Sequence, residues 1–221
     1  MQTFATPAPI AAILDIPAGR VQLIAADRAD TTVEVRPADA GRSRDTRAAE
    51  QTIVAYADGV LRVTAAAPAH QLLGTGGSVE VTVQLPADSR VEVRAASAEL
   101  RGVGRLGDLF MNGAYRRIKI DEAASVRLTA IDGAVEVGRL NGPAEITTTR
   151  GDIRVAQATR GTVVLRTDLG DISVAAAAGV SASLDAGTGY GRVSNALANN
   201  GSADLTIHAT TSSGDITARS L

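Results

Sequence analysis

No cysteine occurs in the 221 residues, which excludes disulfides and thiol catalysis and leaves the redox compartment open. Tryptophan is absent too, and aromatics supply only 2% of the chain. Phe4, Tyr56, Phe110, Tyr115 and Tyr190 are scattered. That is too few rings for a sugar-stacking groove, which argues against a polysaccharide-active enzyme. Lys119 is the single lysine among 22 basic residues, and arginine with abundant alanine suggests a GC-rich bacterial genome. A net charge of −2 gives no basic face for nucleic acid, so no nucleic-acid partner is expected. No apolar run reaches the roughly 18 residues of a membrane-spanning helix. The start, Met1 to Pro7, lacks the charged and apolar regions of a signal peptide, so a cytoplasmic location is expected. No segment holds a 3.6-residue apolar period, so little helix is expected.

What the chain does have is repetition. Gly-Asp-Ile occurs at Gly151 to Ile153, Gly170 to Ile172 and Gly214 to Ile216, each time opening a short alternating segment. Aligning on its apolar residue gives Leu100, Ile118, Val135, Ile153, Ile172, Val193 and Ile216, spaced by 18, 17, 18, 19, 21 and 23 residues. Such a period belongs to solenoids. Each rung reads as two short strands and two turns. Ile153 and Val155 point inward, Arg160-Gly161 turns the chain, and Val163, Leu165 and Thr167 point back. Ile172 and Val174 repeat the pattern. Gly133, Gly151, Gly170 and Gly214 fall at equivalent corners, where a residue without Cβ turns sharply at little cost. About six to seven parallel rungs some 4.8 Å apart are predicted.

Before the rungs, alternating segments from Ile10 to Val93 predict a β meander, with a hairpin at Asp58-Gly59. Ala38 to Glu50 reads as a solvated loop with one helical turn near Thr46 to Glu50. Leu85-Pro86-Ala87-Asp88 marks the junction. The fold class is therefore all-β. Residues 1–88 form a meander or cap and residues 89–221 the β-solenoid, packed as one continuous elongated domain.

The order of Ile13-Leu14-Asp15-Ile16, Gly19-Arg20-Val21, Asp58-Gly59-Val60-Leu61-Arg62-Val63, Val83-Gln84-Leu85-Pro86-Ala87-Asp88-Ser89 and the Gly-Asp-Ile rungs resembles the bacterial putative-adhesin domains of unknown function. The likeness covers nearly the whole chain. It implies a right-handed β-solenoid with an attached meander, an adhesin label resting on shape, and association with a surface.

Candidate sites are few. Equivalent positions before the aligned column read Glu99, Arg117, Ala134, Asp152, Asp171, Arg192 and Asp215. Asp152 and Asp171 on neighbouring rungs are the weak candidates for a hard cation such as Ca²⁺. An Asx arrangement bonding the turn backbone is the favoured reading. Gly74-Thr75-Gly76-Gly77-Ser78 lacks the lysine and following helix of a phosphate loop. His70 and His208 lack partners at a catalytic or zinc spacing. Thr147-Thr148-Thr149, Thr167 and Thr210 to Ser213 would form a hydroxyl ladder or, as favoured, satisfy turn backbone. Arg116, Arg117, Lys119, Arg101 and Arg105 make a modest basic patch, read as a solvated face.

No catalytic residue, metal or cofactor is assigned. The expectation is a non-enzymatic adhesin-like structural or binding protein with a protein or polymer partner. The alternatives are a self-assembling scaffold joined through solenoid ends and, behind it, a polysaccharide-active β-helix enzyme.

Overall fold

The computed structural model describes residues 1–65, 77–113 and 117–221. The chain runs through β1 (Gln2–Ala5), β2 (Ala11–Asp15), β3 (Ala18–Ala26), β4 (Asp30–Pro37), α1 (Ser43–Glu50), β5 (Ile53–Ala57) and β6 (Val60–Thr64). Then come β7 (Val79–Pro86), β8 (Arg90–Arg94), β9 (Ser97–Asn112), β10 (Ile118–Asp132), β11 (Val135–Leu140), β12 (Ala144–Arg150) and β13 (Ile153–Ala158). It ends with β14 (Gly161–Leu169), β15 (Ile172–Ala176), β16 (Ala182–Tyr190), β17 (Val193–Ala196), β18 (Leu205–Ser213) and β19 (Ile216–Ser220). The architecture is all-β, as expected, with α1 the one helix among the described residues.

Pairing arranges these strands in two columns. In one, the order is β5, β6, β2, β8, the second half of β9, the second half of β10, β12, β14, β18 and β16. In the other it is β1, β4, β7, β3, then the first halves of β9 and β10, then β11, β13, β15, β19 and β17. Pairs are parallel throughout, except where β5, β4 and β1 join antiparallel at the N-terminal end. Residues alternating inward from both columns fill the space between them. Leu14, Leu23, Leu61, Leu85, Leu100, Ile118, Leu128 and Ile153 are all fully buried there. At about 1.5–3 kcal/mol for each such side chain, these apolar columns outweigh the surface ion pairs, worth about 0–1 kcal/mol apiece.

The aligned column is present in register. Leu100 pairs with Ile118, Ile118 with Val135, Val135 with Ile153, and Ile153 with Ile172. Its last two members, however, stand in reversed order: Ile172 pairs with Ile216, and Ile216 with Val193. The last rung in sequence, β18 and β19, is thus inserted beneath β16 and β17. Composition explains the choice. Leu205, Ile207, Ala209, Ile216 and Ala218 are buried large or small apolar residues, whereas the outer rung carries Asn195 opposite Ala218 and leaves Val193 46% exposed. The more apolar rung takes the place with neighbours on both sides.

A similar insertion corrects the predicted meander. β2 and β3 lie between β6/β7 and β8/β9, in parallel with both, so only β1, β4 and β5 keep the antiparallel order of a meander. Alternation of apolar residues marks a strand with one buried face and does not specify the direction of its neighbour. The jump from β7 over β3 to β8 is made by Pro86 to Ser89. There Asp88 adopts φ 62°, and buried Ser89 donates to the Pro86 carbonyl at 2.7 Å while accepting from the Ile10 amide at 3.0 Å. The expected Asp58-Gly59 hairpin joins β5 to β6 with positive φ at both residues. The single turn expected near Thr46 to Glu50 extends to the eight residues of α1, held down by Asp45, whose carboxylate accepts from the Ser78 amide at 2.9 Å.

Candidate functional site

The corner carries the residues that looked most chemical. Gly133, Gly151, Gly170 and Gly214 all adopt positive φ there. At Gly151 a Cβ would lie 2.3 Å from the Gly133 carbonyl oxygen, so the rungs approach more closely than any side chain permits. Asp152 and Asp171 stand on adjacent rungs, as their spacing implied. Their carboxylates face neighbouring backbone: Asp152 Oδ1 accepts from the Asp171 amide at 2.9 Å and Asp171 Oδ1 from the Asp215 amide at 2.7 Å. Asp215 Oδ1 accepts in turn from the Arg192 amide at 2.8 Å. The favoured turn-bonding reading thus takes a form that spacing alone did not suggest, since each bond runs to the next rung and not within its own turn. Among the described residues no three histidine or acidic side chains gather to hold a metal ion.

On the inner side of the same corner, threonine hydroxyls meet the glycine carbonyls. Thr167 donates to Gly151, Thr211 to Gly170 and Thr188 to Gly214, at 2.9–3.1 Å. Thr148, Thr167 and Thr211 are buried and this inner column satisfies backbone, whereas Thr149, Thr210 and Ser212 of the same segments are exposed.

The outer surface of the first column presents a different feature. Parallel register brings Glu92, Phe110, Arg127, Glu145, Val164, His208 and Asp185 into one line across successive strands. Arg90 covers the Phe110 ring, its guanidinium carbon 4.8 Å from the centroid. Arg127 pairs with Glu145 at 3.4 Å, and His208 Nδ1 lies 3.2 Å from the Asp185 carboxylate. Beside this line a furrow of about 290 Å³ is lined by Phe110, Val126, Pro143, Ala144 and Val164, with Ser125, Arg127 and Glu145 on its rim. On the opposite face the outward residues are mostly charged. Arg20 reaches Glu80 and Glu99 at 3.5 and 3.3 Å, Arg101 pairs with Asp121 at 2.6 Å, and Arg117 and Lys119 both pair with Glu136. Arg117 donates a hydrogen bond that holds the Glu136 carboxyl below the usual carboxylate range. The expected basic patch is therefore neutralised by its own acidic neighbours.

The model of the Toastrack DUF4097 family matches residues 13–220. The chain belongs to that family. No curated protein matches it. A putative cell adhesion protein from Clostridium sporogenes is similar in structure with 10% identity and a TM-score of 0.38, covering 100% of this chain and 98% of its own. Putative adhesins from Bacteroides fragilis and Parabacteroides distasonis show 11% and 13% identity with TM-scores of 0.41 and 0.48, each covering 98% of this chain and 95% of its own. Identity this low does not carry a ligand or an activity from one protein to another.

In this Toastrack chain His70, Gly74 to Gly76 and Arg116 lie outside the described residues. His208 acquires the Asp185 partner only through the inserted rung, which a search for motifs along the sequence cannot see. Phe110 was missed as one of five scattered rings. Its column was nevertheless detectable, because the spacing from Phe110 to Arg127, Glu145 and Val164 follows the same rung period as the inward column. No helix among the described residues is long and apolar enough to cross a membrane.

Proposed function

We propose that this Toastrack protein is a non-enzymatic, adhesin-like binding module whose partner lies along the outer face bearing Phe110, Arg127, Glu145 and Val164. The observation that carries the reading is the register itself. A ring, an ion pair and an apolar side chain follow one another on one line at the strand spacing of about 4.8 Å, a rigid arrangement suited to an extended protein or polymer chain. The coil that presents them is read as right-handed, with six to seven regular rungs beyond residue 89. The binding reading is favoured over a filament because antiparallel strands close one end of the stack.

A peptide and glycan array probed with the labelled chain tests this. A Phe110→Ala, Val164→Ser variant is expected to lose at least about tenfold in signal, equivalent to about 1.4 kcal/mol. A Lys119→Ala, Thr217→Ala variant on the opposite face is expected to retain it. Equal signals from both variants would reject the assignment to this face.

A further inference from the structure

Among the described residues nothing covers the C-terminal end of the stack. In the inner rungs the corner amides donate outward from one rung to the next: Gly151 to Leu169, Gly170 to Ser213, Gly214 to Tyr190, and likewise Ile172 to Asp215 and Ile216 to Arg192. Gly191 and Val193 occupy the same positions in the outermost rung, where no further rung stands to accept. The core is also open there, with Leu184, Ala186 and Leu197 only partly buried and Val193 46% exposed. Beside it Tyr190 is 82% exposed, and the Arg192 side chain, 3.6 Å from Asp215, is 90% exposed.

We propose that a second copy of this chain covers this end, forming a closed two-fold dimer through β16 and β17. Symmetry selects the occupant. Tyr190 and Arg192 flank the corner residue Gly191, so a two-fold axis running along the strands through that corner exchanges the two flanks. It sets each Tyr190 ring against the Arg192 guanidinium of the other copy, giving two cation–π contacts from one pair of residues. The same operation brings β16 antiparallel to β17 of the second copy and turns the apolar rims of Leu184, Ala186 and Val193 toward each other. Growth stops at two, because the other end carries strands of reversed direction and the packed rings of Phe4 and Tyr56. A nine-residue strand spans about 30 Å and the two layers about 20 Å, so the contact covers about 600 Å² per copy. That is below the roughly 800 Å² of a standard interface, and although area alone does not fix affinity, a weak dimer in the micromolar range is expected.

Sedimentation of the full chain from about 1 to about 500 μM brackets that range. A reversible monomer–dimer equilibrium with no larger species is expected. Tyr190→Ala and Val193→Lys are each expected to weaken dimerisation at least about tenfold. Ile53→Lys, at the exposed edge of the N-terminal end, is expected to leave it unchanged. Should Val193→Lys lower the melting temperature, the largely exposed Tyr190→Ala decides. A chain that stays monomeric throughout, one that grows beyond two, or a dimer lost with Ile53→Lys but kept with Tyr190→Ala would overturn the proposal.

Discussion

At its N-terminal end the stack is closed by strands that reverse direction, and at its C-terminal end the parallel strands simply stop. The difference shows in the rung beneath each end. At the N-terminal end β6 and β7 present Leu61, Val63, Val79, Val81, Val83 and Leu85, all buried because β5 and β4 cover their edges and Phe4 packs on Tyr56 at 5.4 Å. At the C-terminal end β16 and β17 present Ala182, Leu184, Ala186, Val193 and Asn195, a less apolar set in which two alanines and an asparagine accompany the leucine and valine and Val193 is 46% exposed. A solenoid therefore has two ways to end, by covering a strongly apolar rung or by diluting it. Both ends also place an inserted rung directly beneath the outermost parallel rung, β2/β3 at one and β18/β19 at the other, which draws strands near both termini into the stack.

The sharpest test of this asymmetry is the order of the last two rungs. Ile216 is fully buried and Val193 is not, so Ile216→Ala is expected to cost roughly 2–5 kcal/mol and Val193→Ala less than about 1 kcal/mol. Chemical denaturation measures both, and the opposite ranking would mean that the rungs stack in sequence order. Gly151→Ala comes next. Its Cβ would be forced against the Gly133 carbonyl at a φ of 136°, for an expected loss of roughly 2–3 kcal/mol. Gly179→Ala shares a positive φ but meets nothing within 4 Å, and is expected to cost clearly less.

These two tests also separate what the sequence revealed from what it hid. The corner glycines and inward Ile153, Val155, Ile172 and Val174 were legible because a fixed period and a fixed corner leave a single register for parallel strands. The inserted rungs were not, although the steps of 21 and 23 residues around Val193 held the clue. Leaving one strand position empty and returning to fill it needs extra chain, supplied by residues 177–181 and 197–204. Spacing located the Asp column but not the acceptors of its bonds, and the charged face looked basic because the acidic partners of Arg117 and Lys119 come from another rung.

Smaller effects probe each end locally. Removing one ring of the N-terminal plug by Tyr56→Ala is expected to lower stability by about 1–2 kcal/mol, since the pair is partly buried and ring contacts add to burial. Toward the open end, Asp171→Ala removes the acceptor of the Asp215 amide and is expected to cost about 1 kcal/mol. The Asp152→Asn, Asp171→Asn pair keeps both acceptor oxygens, so its melting temperature is expected to match the parent with and without calcium. A calcium-dependent rise in the parent alone would instead reveal a cation held by that column.

The smallest effect concerns acid, and it distinguishes the middle and N-terminal end from the open end. Hydrogen bonds from Arg117 and Arg28 hold the carboxyls of Glu136 and Asp30 below their ordinary range. A carboxyl depressed in the folded state binds fewer protons there than in the unfolded chain. Its contribution is therefore fully present above the ordinary carboxylate range and is lost as pH falls toward the depressed value. Both carboxyls are partly exposed at the surface, Glu136 29% and Asp30 45%, so screening keeps the contribution small. Melting temperature measured from neutral pH into the acid range is expected to fall less steeply for a Glu136→Gln, Asp30→Asn variant than for the parent, with the two curves converging at the acid limit. Identical slopes would show that these pairs add nothing to folding and that the acid response arises elsewhere in the stack.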